Sequence, residues 1–128
     1  MRLLLDTHAL LWWLAGDEAL SNTAREAISD PGNDVFVSAA SAWEIATKYR
    51  LGKLPDAAAI AADIAGAVAS QDFTELPINI RDGQIAGGLP AIHKDPFDRM
   101  LIAQAIAADM VIVSNEALFS AYAVVRLW

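Results

Sequence analysis

Four acidic side chains fall where a fold can gather them. Asp6 closes the apolar run Leu3-Leu4-Leu5, and Glu44 lies shortly after Val35-Phe36-Val37-Ser38. Asp98 sits in Asp95-Pro96-Phe97-Asp98, and Glu116 follows Met110-Val111-Ile112-Val113. Carboxylates packed together repel one another at neutral pH, and a divalent cation is the simplest thing that lets them all stay ionised. Mg²⁺, or Mn²⁺ as the alternative, takes oxygen ligands, and Mg²⁺ keeps several of its waters. Such ions polarise a phosphodiester, lower the pKa of water and stabilise a leaving oxygen. The chain has no cysteine and only two histidines, His8 and His93, which does not suit a soft or zinc-type centre.

Each acid also has a local reading. Asp6 and Thr7 are both favoured helix N-caps. Ser41-Ala42-Trp43-Glu44 matches a capping box. Asp95 precedes a proline in a turn-like stretch. Asp98 suits the first turn of a helix, where an acid favours the helix dipole, and it can pair with Arg99. Glu116 reads as an exposed helix-start acid. Only convergence in space separates these readings from a shared site, and spacing along the chain does not establish it.

The elements that must position the acids follow from the apolar pattern. Short apolar runs at residues 3–5, 35–38, 73–78, 110–113 and 124–127 read as strands. Helices are expected over 7–15 with Gly16 as the stop, over 21–29, and over 41–51 ended by Gly52. Pro55 and Asp56 open an alanine-rich stretch expected to form one long helix to about Ser70. Further helices are expected over 79–87 and 97–108, with a helical turn over 116–121. Strands alternating with helices indicate an α/β sandwich with a mostly parallel sheet. In such sheets functional groups gather at the carboxyl ends of the strands, which is where these acids fall.

Composition limits the rest. The chain of 128 residues shows no repeat, linker or low-complexity tract, so residues 1–128 are expected to form a single domain. Hydrophobic residues make up 55%, a high share that suggests an apolar surface for a subunit or partner. The absence of cysteine removes disulfides and fits the cytoplasm. No stretch reaches the roughly 18 apolar residues of a membrane span, and Met1-Arg2-Leu3-Leu4-Leu5-Asp6 meets an acid too soon for a signal segment. The formal net charge of −7 argues against a broad basic surface for nucleic acid and favours a basic partner.

The motifs resemble those of VapC-like PIN-domain toxins. Leu4-Leu5-Asp6-Thr7-His8-Ala9-Leu10-Leu11-Trp12 resembles their opening, and Ser41-Ala42-Trp43-Glu44-Ile45 their second motif. The stretch from His93 to Ala105, with Asp95-Pro96-Phe97-Asp98-Arg99, resembles the third and most specific motif. Val113-Ser114-Asn115-Glu116 resembles the closing motif, with Ser114 where threonine is common and Glu116 where aspartate is common. The motifs occur in the family's order across nearly the whole chain. The resemblance implies a PIN-like three-layer fold and a Mg²⁺-dependent endoribonuclease, usually a homodimer, silenced by a cognate antitoxin protein. It implies Asp6, Glu44 and Asp98 as core acids that are both catalytic and metal-binding. Glu116 is implied as a fourth, and Ser114 and Asp95 as supporting groups. Two other functions stay open, a catalytically weakened binding module and a metal-dependent DNA nuclease or phosphatase.

Lys48, Arg50 and Lys53 form the densest basic cluster, which either guides RNA or is a solvated helix end. His8 and His93 can touch substrate or serve local packing. Trp12 and Trp13 are adjacent and cannot both face one core from a helix, so one is expected to face a subunit or an antitoxin helix. The alanine-rich segment 57–69 offers a smooth face for close packing or for an antitoxin.

Overall fold

Leu3, Leu4 and Leu5 are completely buried, as an uncharged run of branched side chains between two layers must be. They form the central strand of the fold. The computed structural model describes residues 1–128. Five strands, β1 (Arg2–Leu5), β2 (Asp34–Ser38), β3 (Thr74–Leu76), β4 (Val111–Val113) and β5 (Arg126–Leu127), make one sheet in the order β3-β2-β1-β4-β5. Every pairing is parallel. The sheet is thus entirely rather than mostly parallel, because each connection between neighbouring strands carries helical or turn structure that returns the chain to the same edge.

Alternation along the strands divides the core. Leu3, Leu5, Val35, Val37 and Val113 face one layer, packed with Ala9, Leu10, Ala24, Ile28, Ile45 and Val68. Leu4 and Ile112 face the other, packed with Leu101, Ile102, Ala105 and Phe119. The first layer is supplied by α1 (Thr7–Ala15), α2 (Asn22–Ser29), α3 (Ala39–Arg50) and α5 (Ile64–Ser70). The second is dominated by α7 (Pro96–Ala108), against which α6 (Ile80–Gly88) packs. The result is the expected three-layer α/β/α sandwich. No helix is long and apolar enough to cross a membrane.

Three local expectations need correction. The alanine-rich stretch is not one helix. It runs as a 3₁₀ turn at Pro55–Ala57, then α4 (Ala58–Ala62), then α5. Asp63 breaks it, with φ −154° and ψ 79°, and its Oδ1 accepts from the Gly66 amide at 2.9 Å. An Asp that finds a backbone amide competes with helix propagation, whatever the alanines around it prefer. Gly66 leaves room for that carboxylate, since a Cβ would lie 2.2 Å from Asp63 Oδ2 and force it to shift. Second, α3 starts at Ala39 rather than Ser41. Ser38 caps it through the Ala40 amide, so Ser41 and Glu44 form no capping box. Third, Trp12 and Trp13 both lie partly buried against the same core cluster. They meet different rings there, Trp12 against Trp128 at 5.8 Å between centroids and Trp13 against Phe73 at 6.2 Å. The exposed tryptophan is Trp43, at 64%.

The helix break gives a stability test. Asp63→Ala is expected to lower stability by about 1 kcal/mol through loss of the cap. Gly66→Ala is expected to act in the same direction by displacing the carboxylate. Urea unfolding measures both, and an unchanged midpoint for Asp63→Ala would show that the cap does not hold this bend.

Candidate active site

The strand order decides where a site can form. The chain lays down β1, β2 and β3 in one direction, then returns to place β4 on the other side of β1. The order reverses between β1 and β4, and a crevice opens there beyond the strands' carboxyl ends. Asp6 leaves β1 at that crevice, and its amide donates to Val113 O of β4 at 3.1 Å. Ser114, Asn115 and Glu116 leave β4 beside it. Helix α3 follows β2 and brings Glu44 in its second turn. Helix α7 runs back towards β4, so its first turn, with Asp95 as N-cap and Asp98, also lies at this edge.

These residues share one cavity of about 350 Å³, lined by Asp6, His8, Trp12, Glu44, Lys48, Asp95, Asp98, Asn115 and Glu116. All four acids singled out from sequence are in it, with Asp95 and Lys48. Apolar grooves of similar or smaller volume exist elsewhere, but none of them holds these acids together. Ser114 is buried beneath, where its hydroxyl accepts from the Glu116 amide at 2.9 Å and favours the charged form of Asp6. Arg50 lies outside, exposed on α3. Lys53 lines a neighbouring groove with His8, Leu11, Trp12, Leu54 and Ile60. Of the three basic residues expected to act together, only Lys48 reaches the acids, because the other two follow the helix away from the sheet edge.

Local capping and shared position turn out to be compatible. Asp6 Oδ1 accepts from the Ala9 amide at 2.8 Å. Asp95 Oδ1 accepts from the Phe97 and Asp98 amides, and Glu116 Oε1 from the Leu118 amide. A carboxylate has two oxygens, so capping with one leaves the other free. Glu44 is held differently. Its Oε1 accepts from the Thr7 hydroxyl at 2.6 Å, which lies 3.1 Å from Ser41 Oγ, and its Oε2 pairs with Lys48. Asp98 does not pair with Arg99. The Arg99 guanidinium turns away to four backbone carbonyls.

The charges strain against one another. Burial, then the carboxylates of Asp95, Glu44 and Asp6, push Asp98 up to about 7, with Lys48 opposing. Burial also pushes Asp6 up, against the pull of the Ser114 hydroxyl, the Ala9 amide and His8. Burial works against the Lys48 charge, but the bond to Glu44 and the fields of Glu44, Asp95 and Asp98 outweigh it and hold that ammonium charged to higher pH. The donor set is all oxygen, which fits a hard cation. No three of the acids stand close enough to cage an ion unaided. An ion held here would need water to complete its shell, as Mg²⁺ commonly does.

Sequence reasoning named several residues without finding their place at the site. Asn115 lines the cavity, and its place directly after β4 was the available signal. Thr7 fixes Glu44, and nothing in the spacing of 37 residues between them revealed it. His93 does not line the cavity but lies behind it, with Nε2 2.9 Å from Asp98 Oδ2.

Comparison with known proteins gives a family and a fold. The PIN domain family model matches residues 3–125. Ribonuclease VapC16 of Mycobacterium tuberculosis (strain ATCC 25618 / H37Rv) is 59% identical over 34 residues, 27% of this chain and 24% of that protein. The chain thus aligns with about a quarter of that curated relative. The crystal structure of VapBC2 from Rickettsia felis bound to a promoter DNA fragment matches with a TM-score of 0.71 at 15% identity, covering 98% of this chain and 97% of the other. FitAcB from Neisseria gonorrhoeae matches with a TM-score of 0.54 at 15% identity, covering 97% and 95%.

The raised Asp98 predicts a pH effect on folding. The carboxyl is charged in the unfolded chain above about pH 4 but resists charging in the folded one, so the native state loses stability as pH rises from about 4 through 7. In chelator, Asp98→Asn is expected to stabilise the protein by about 2 kcal/mol at pH 8, at about 1.4 kcal/mol per unit with part of the shift screened, and little at pH 4. Thermal unfolding at both pH values measures this, and an equal effect at both would refute it.

Proposed function

This chain belongs to the PIN-domain family, and from that premise we propose that it is the toxin of a toxin–antitoxin pair, an endoribonuclease that uses a divalent metal ion. The observation that carries the reading is the shared cavity, where Asp6, Glu44, Asp98 and Glu116 meet from distant parts of the chain. The partial relative, VapC16, is a ribonuclease, which supports RNA over DNA. The likeness of the fold to VapBC2 and FitAcB supports an antitoxin partner.

In this reading Asp6 and Asp98 hold Mg²⁺ or Mn²⁺ directly, while Glu44 and Glu116 complete the site directly or through water. The ion, when bound, supplies a Lewis acid that activates water and takes up charge on the phosphate. The residues of the chain do the rest. Thr7 and Lys48 hold Glu44, and Ser114 holds Asp6 and the backbone before Glu116. Asp95 caps α7 and sets Asp98 at the cavity wall. Lys48 offers the one cation at the cavity to an incoming phosphate, which lets a chain of net charge −7 take an anionic polymer locally. Arg50 and Lys53 extend a weaker basic track outside. Water rather than a 2′-hydroxyl attacks, so the products carry 5′-phosphate and 3′-hydroxyl ends.

Partner surfaces fit the same reading. A second copy of the chain would cover the exposed Trp43 and the nearby groove of Ile78, Phe97 and Met100. An antitoxin segment would take the groove between α1 and α4, beside Lys53, Leu54 and Ile60. A cytoplasmic site accords with the lack of cysteine.

Purified protein with RNA or DNA, with Mg²⁺ or chelator, tests the activity. RNA cleavage that stops in chelator is expected. Asp6→Asn or Asp98→Asn is expected to reduce it by at least about a hundredfold. A folded Asp98→Asn chain that cleaves RNA at the wild-type rate refutes the site, and cleavage of DNA alone refutes the substrate. For Lys48→Ala, RNA binding is expected to weaken and its salt slope to fall by about 1.

A further inference from the structure

Behind the cavity wall, the segment between α6 and α7 is held more firmly than a connection of this length requires. Arg99 donates to the carbonyls of Ala86 and Leu89 at 2.8 Å and to those of Pro90 and His93 at 3.0 Å. The Tyr122 hydroxyl accepts from the His93 amide at 2.8 Å and donates to Pro90 O at 2.7 Å. The His93 ring lies against the fully buried Phe119, 5.7 Å between centroids. These contacts fix the backbone that carries His93, a residue only 8% exposed.

The ring's orientation is set by its two nitrogens. Nδ1 accepts from the Asp95 amide at 3.3 Å, so in the neutral ring the proton sits on Nε2. Nε2 is sealed from solvent and 2.9 Å from Asp98 Oδ2, yet turned off the hydrogen-bond axis, and it bonds to nothing else. A buried donor without an aligned partner is costly, and such contacts in ligand-free sites often tighten when the site is filled.

We propose that His93 is a positioning residue for Asp98, its Nε2–H holding one carboxylate oxygen so that the other is presented to a cation in the cavity. Arg99 and Tyr122 serve by fixing His93, and Asp95 by fixing the ring's tautomer. The inference rests on the proposed function only in its reading of the cavity as a divalent-metal site. Groups that orient metal-binding side chains typically change metal affinity or activity by about 10- to 100-fold when removed.

The test compares His93→Phe with His93→Gln in the full chain. Phe keeps the packing on Phe119 but has no donor, whereas the Gln amide reaches the place of Nε2. Mn²⁺ affinity is measured by electron paramagnetic resonance, and kcat and KM by RNA cleavage. His93→Phe is expected to lose about tenfold in Mn²⁺ affinity and a similar factor in kcat, with KM for RNA unchanged. His93→Gln is expected to restore most of both. Should Phe not fold, His93→Asn replaces it, since its shorter amide stops at the place of Nδ1. Wild-type Mn²⁺ affinity in a folded His93→Phe chain overturns the assignment while leaving the nuclease reading intact, and so does Gln no better than Phe. A donor-dependent drop in Mn²⁺ affinity in a chain that cleaves no RNA keeps the assignment and removes the nuclease reading. A wild-type chain that takes up no Mn²⁺ overturns both.

Discussion

Bringing several carboxylates into one partly dehydrated cavity is the constraint on which this structure turns. Like charges at close range raise one another's affinity for protons, and burial adds to the effect. Asp98 is pushed up to about 7, and burial raises Asp6 as well. Asp6 and Glu44 are more deeply buried still, at 5% and 3% exposure. Buried charges persist only where donors meet them. Here the Ala9 amide and Ser114 hydroxyl serve Asp6, and Thr7 and Lys48 serve Glu44.

The parallel sheet makes this gathering possible. Reversal of strand order beside β1 opens a crevice, and helices that follow or precede the strands begin at its rim. Asp6, Asp95 and Glu116 are each the N-cap of the helix or turn that starts there. A helix N-terminus stabilises negative charge through its unpaired amides and dipole. Capping and site-building, which look like rival explanations for an acid in a sequence, are one arrangement in the fold. The caps help to offset the repulsion that the cavity creates.

Helices α3 and α7 also divide two kinds of surface between adjacent residues. Trp43 precedes Glu44, and Phe97 precedes Asp98. Successive helical residues point about 100° apart, so each helix sends an acid into the cavity and an aromatic ring into the groove beside it. The two rings meet edge to face at 4.9 Å between centroids. A polar cavity and an apolar groove thus share one wall, and a change in one helix's orientation alters both.

Much of this was legible in sequence. The runs at Leu3–Leu5, Val35–Ser38 and Met110–Val113 declare buried parallel strands because nothing polar interrupts them. The acids at their ends, and the motifs around Asp6, Glu44, Asp98 and Glu116, point to one edge of one sheet. Periodicity also supplies most helices, since an apolar face must repeat at helical spacing. It could not supply the bend at Asp63, where one side-chain bond outweighs a run of alanines. Nor could it tell Ser38 from Ser41 as the cap of α3, because both are favourable cap residues and only the direction in which the chain leaves β2 selects between them.

What the tertiary structure alone decided is how polar groups pair over long separations. Thr7 with Glu44, Arg99 with the carbonyls before it, and His93 with Tyr122 and Asp98 have no local signature. Their partners are chosen by packing, not by spacing. Chain chemistry determines which residues can be charged, buried or helical. The pairing of strands determines which of them meet, and with that which carboxylates must share a field.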